Sequence, residues 1–208
     1  VTTSPGVATL EESRSAVHST TGAAGTLGFV ILASALLVGR TLLGPTTGKG
    51  GPLQLFALAA VLGAIWLASC LIPVPHERVA MSRVTQGVVL GAGLVALGAA
   101  IAVTGPPLPL PLSPWALPLT VLAAIAEEAL FRRAAYGALL GFGVPVAIIG
   151  SALAFGLLHV PLYGVAVLPV DIGAGLLLSW QRWVSGTWTV PAATHAAANV
   201  WMVFLRWR

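Results

Sequence analysis

Glu127, Glu128, Arg132 and Arg133 fall within one of the most apolar regions of the chain, on what the pattern predicts to be a single helix. An ionised side chain in hydrocarbon is costly unless it is paired or faces water, so an intramembrane acid is a candidate functional group by default. Glu128 and Arg132 are four positions apart on one face, and a structural ion pair accounts for them without any chemistry. Glu127 sits about 100° around the helix and cannot share that partner in the same way. Further polar exceptions follow. His159 closes FGLLH (155–159), Asp171 interrupts VLPVDIGAGLL, and His195 and Asn199 bound HAAAN (195–199). A lone histidine near a helix end is an ordinary packing residue. Three separate apolar segments that each deliver such a group avoid lipid by turning them toward one wet cavity.

Those residue types suit hydrolysis. A carboxylate in partly dry surroundings, as Glu127 would be, has a raised pKa and can take a proton from water. The His159 imidazole can orient that water. His195 and Asn199, one turn apart, can donate to the oxygen on which charge builds as water attacks a carbonyl. Glu127, His159 and His195 can instead supply three ligands to zinc or another divalent metal with an open water position. That use would consume the base and one oxyanion donor, and no HExxH pair supports it, so water activated without a metal is favoured. Ser151 and Ser179 lack a nucleophile-elbow context.

The elements that carry these groups read as membrane helices. The 208 residues are 57% hydrophobic and only 8% charged, with mean hydropathy +0.95, whereas soluble domains carry about 25% charged residues. The net charge of +4 is spread too thinly to follow a phosphate backbone, and nucleic acid is not an expected partner. The single cysteine, Cys70, excludes an intrachain disulfide. Alternation over about ten residues, the mark of a membrane barrel, is not repeated.

The expected fold is therefore all-α, a polytopic transmembrane bundle of about seven spans, some broken or re-entrant. Residues 1–22 read as a polar tail that is disordered or lies on a surface. Three N-terminal spans occupy 23–105, at about 24–43, 53–72 and 85–104. The stretch 44–52 is a turn rather than a phosphate loop, since no Ser or Thr follows Lys49. A charged loop with His76, Glu77, Arg78 and Arg83 separates the second and third spans. Residues 106–208 form the domain that carries the site. It opens with prolines from 106 to 118, then a helix through the acidic motif to about Leu140. A fifth helix runs from about Pro145 to His159-Val160-Pro161, a sixth over 164–181 is interrupted by Pro169, and a seventh opens at Pro191. Basic residues at the span ends, Arg182 among them, read as flank charges that orient the helices.

EEALFR (127–132), FGLLH and HAAAN, in that order, resemble the CAAX-type intramembrane endopeptidases, also called the CAAX protease and bacteriocin-processing family. The resemblance covers roughly residues 112–205 and leaves the first three spans without a comparable signature. It implies that Glu127 is the general base and that His159 helps activate the water. It further implies that His195 and Asn199 stabilise the oxyanion while Glu128 and Arg132 support the site. The substrate implied is a membrane-associated or lipidated peptide or protein, and the setting is the lipid of a prokaryotic cell membrane. Asp171 matches none of the family motifs. The competing reading is a non-enzymatic membrane protein, a transporter or bacteriocin-immunity factor, because ion-coupled transporters also hold intramembrane carboxylates. A transporter should show two related halves, and none is evident.

Overall fold

The structure, a computed structural model, describes residues 22, 24–39, 51–74, 82–104 and 114–206. The expected N-terminal tail, the turn with Lys49, the loop from His76 to Arg78 and the start of the proline cluster lie outside the described residues. Among those described, every element is helical. α1 is Ala24–Gly39, α2 is Pro52–Leu71 and α3 is Arg83–Thr104. α4 is composite, α-helical over Ala116–Glu128, π-helical over Ala129–Ala135 and α-helical again over Tyr136–Leu139. α5 is Val144–Tyr163, α6 is Leu168–Ser185 and α7 is Thr189–Arg206.

The all-α architecture stands, but the expectation of about seven spans does not. Among the described residues only α2 and α5 are long and apolar enough to cross a membrane. Two further apolar helical stretches, Ala24–Gly39 of α1 and Thr85–Gly98 within α3, are shorter. α4 carries four charged residues. α6 and α7 reach 18 residues each, but Asp171, Gln181 and Arg182 in one and His195 and Asn199 in the other make them too polar. α5 differs because its buried and its exposed faces are both largely apolar. Ala147, Phe155 and Leu158 are buried, while Val146, Ile149, Leu153 and Leu157 form an exposed stripe. One face of α5 is thus packed in the protein core and the other is exposed.

Local chemistry sets the helix ends. Gly143, at φ 103°, precedes α5, and Gly164, at φ 85°, ends it; both angles favour a residue without Cβ. Pro161 does not stop α5, which continues to Tyr163. Pro169 does not interrupt α6 either. It stands in the first turn, where the missing N–H has no helical acceptor to lose.

One apolar core runs through α1, α2, α4 and α5, with Leu37, Leu62, Leu130 and Phe131 at its centre. α6 crosses α5 almost backbone to backbone. A Cβ built on Gly175 would lie 2.9 Å from the Ala152 carbonyl oxygen, and one on Gly156 would lie 3.3 Å from the Ile172 nitrogen. α7 closes the bundle against α3, α4 and α6.

Candidate active site

Within the π-helical segment the backbone bonds reach five residues back, as in Tyr136 N–H to Phe131 O. Such wide turns are frequent at functional sites. Two successive arginines within it reach different neighbours. Arg133 donates to the Ser69 carbonyl and, at 2.8 Å, to the Ile72 carbonyl, tying down the C-terminal end of α2. Arg132 is fully buried. Its Nη1 donates to Glu128 Oε1 at 3.1 Å and its Nη2 to the Gly175 carbonyl at 3.1 Å. Its guanidinium carbon stands 4.4 Å from the Phe155 ring centroid. Arg182 Nε donates to the Arg132 carbonyl at 3.1 Å, and its guanidinium lies over Tyr136. The flank-charge reading of Arg182 is therefore wrong. It is a buried brace on α4.

Glu128 serves two partners. The oxygen that accepts from Arg132 also lies 2.9 Å from His195 Nδ1. A carboxylate can only accept, so Nδ1 carries the hydrogen and Nε2 is the free ring atom. Burial alone would disfavour the imidazolium of His195, but the Glu128 hydrogen bond and the charges of Glu128 and Glu127 outweigh it and raise its pKa. His159 is held in a different way. Its Nδ1 donates to the Phe155 carbonyl, 2.8 Å away on the preceding turn, and Nε2 is again the free atom. Phe155 packs between these groups, with ring centroids 4.6 Å from His159 and 5.7 Å from His195.

Glu127 is buried and acts electrostatically on Arg132, Asp171 and His195. Asn199 Nδ2 donates one hydrogen to the Thr120 carbonyl at 3.2 Å; the amide group has a second to offer. Asp171 stands in the first turn of α6. Burial first, then Glu127, raises its pKa against the opposing pull of His159 and His195. The expected site residues thus lie on α4, α5 and α7, with Asp171 added by α6.

Glu127, His159 and His195 do not form a ligand set for a metal, and among the described residues no three His, Cys, Asp or Glu do. Ser151 and Ser179 lie Oγ to Oγ at 3.0 Å, and Ser151 also donates to the Ala147 carbonyl; their hydroxyls serve the α5–α6 crossing. Three supporting groups escaped sequence reasoning: the Gly175 carbonyl, the Phe155 ring and Arg182. Of these only Phe155, inside FGLLH, carried a local signal.

The helical bundle thus gathers carboxylate, imidazole and guanidinium groups in one place. Residues 109–201 match the family described as Type II CAAX prenyl endopeptidase Rce1-like, a stretch that contains every residue of the candidate site, and the match supports a protease role. The match and the two apolar helices point to association with a membrane. No curated protein and no solved structure matches the chain significantly.

Proposed function

We propose that the protein is a membrane-embedded endopeptidase that hydrolyses a peptide bond in a membrane-associated or lipidated peptide or protein. Glu127 takes the proton from the attacking water. His159, whose Nδ1 donates to the Phe155 carbonyl, offers an Nε2 lone pair that accepts from the same water and orients it. His195, protonated at Nδ1 toward Glu128 and favoured as the imidazolium, offers an Nε2–H to the developing oxyanion. The second amide hydrogen of Asn199 joins it. Glu128 and Arg132 do not touch the substrate; they fix the His195 ring.

One observation carries this reading: a single oxygen, Glu128 Oε1, joins Arg132 of EEALFR to His195 of HAAAN. The two imidazoles, held through Nδ1 by a carboxylate in one case and a carbonyl in the other, suit opposite tasks, donor and acceptor. The test is proteolysis of a panel of membrane-associated and prenylated peptides by the purified protein in vesicles, beside Glu127→Gln. Cleavage by the wild type that vanishes in the variant supports the reading, and equal products from both refute it.

A further inference from the structure

Asp171 belongs to none of the three motifs, yet the fold brings it to the same place. α5 and α6 touch at Gly156 and Ile172, where a Cβ on Gly156 would lie 2.7 Å from Ile172 Cγ1. Asp171 precedes Ile172. His159 follows Gly156 by three positions, on the same side of α5. One turn beyond Asp171, the Gly175 carbonyl holds Arg132, and through it Glu128 and His195. Asp171 Oδ2 is buried without a hydrogen-bond partner among the described residues. A polar atom so placed is destabilising, and a bound partner would relieve that cost. The titratable groups that act on it are His159 from α5, Glu127 from α4 and His195 from α7; residues 84–104 of α3 carry none.

Peptide hydrolysis needs two proton transfers. One leaves water as the C–O bond forms, and the other reaches the amine nitrogen as the C–N bond breaks. Glu127 accounts for the first. We infer that Asp171 performs the second, as the acid that protonates the leaving nitrogen of the scissile bond, an inference that rests on the peptidase reading above. Collapse of the tetrahedral intermediate returns the oxyanion pair to C=O. The C–N pair leaves with nitrogen, which takes the Asp171 proton. The products are a carboxylic acid and an amine. Asp171 is left as carboxylate and Glu127 as acid, and a proton passed from Glu127 to Asp171 through water resets both. Two nearby carboxyls cannot readily ionise together, so one proton between them provides one base and one acid. The direction in which Asp171 is shifted agrees.

The test compares two substrates with the same acyl group, a peptide amide and a nitrophenyl ester whose leaving group departs as an anion without a proton. In Asp171→Asn the ratio of ester to amide kcat/KM should rise by about a hundredfold or more, the usual worth of a general acid. Equal losses on both substrates would mean a structural role and overturn the inference. Wild-type pH profiles decide the matter should the variant not fold. The amide profile should fall on the alkaline side where the ester profile does not, and matching profiles would count against Asp171 or any other acid at the leaving group. A wild type no better than Glu127→Gln on either substrate overturns the peptidase reading itself, and this inference with it.

Discussion

His195 Nδ1 lies 2.9 Å from Glu128 Oε1, a contact between residues 67 positions apart in the chain. It makes Glu128 the hinge pin of the site, since the same oxygen receives Arg132. In the proposed mechanism these adjacent glutamates of identical chemistry have separate duties.

Those duties should separate under mutation. Glu127→Gln should give folded protein with melting close to wild type and turnover reduced at least about a hundredfold. Glu128→Gln removes the anion from a fully buried pair and should cost about 3–5 kcal/mol of stability. Denaturation and turnover measured on both variants test this, and equal melting of the two would contradict the division.

The raised pKa of His195 makes part of the stability dependent on pH. The folded protein holds the His195 proton more tightly than the unfolded chain, whose value is about 6.5. The contribution is thus fully present below that pH and is lost as pH rises through the higher folded value. The gap in Tm between wild type and His195→Gln should be widest in acid and narrow with rising pH. A gap that widens toward alkali would mean that burial outweighs Glu128.

Asn199→Ala should lower kcat by about 10²–10³-fold, the effect of losing one oxyanion donor. KM should change little. A variant that raises KM alone would assign Asn199 to substrate binding rather than to the oxyanion.

Gly175→Ala sets a methyl group against the backbone of Ala152. Relief requires α5 and α6 to part, at a cost of about 1–3 kcal/mol. The carbonyl that receives Arg132 moves with α6, so turnover should fall along with Tm. Ala at Gly173, where the added carbon meets nothing within 4 Å, is the control and should leave Tm nearly unchanged.

Helix positions were legible in the sequence because apolar runs and proline or glycine boundaries are local signals; the second span, expected at 53–72, is α2 at Pro52–Leu71. The span count failed because composition averages over the chain, whereas crossing a membrane requires an unbroken apolar stretch in each helix. The spacing of Glu128 and Arg132 announced their pairing. Nothing in one dimension announces that Glu128 also takes His195, or that Arg182 braces α4 instead of flanking a helix end. Such facts depend on which helices cross. Asp171 stood out as a charge without a motif, and only the α5–α6 crossing gives it neighbours.

The wide turn at Ala129–Ala135 separates chain length from angular phase. Removing one residue there would let the segment relax into ordinary α-helical turns with little local penalty. The residue lost would be the extra one of the wide turn, so the chain downstream would keep its phase, whereas the same deletion in the α-helical part of α4 would swing everything beyond it by about 100°, carrying Tyr136 away from Arg182 and Leu139 away from Gly150. The seven-residue stretch is thus the place in α4 where a one-residue deletion disturbs the helix phase least, although its own sequence, ALFRRAA, contains no glycine or proline to advertise it.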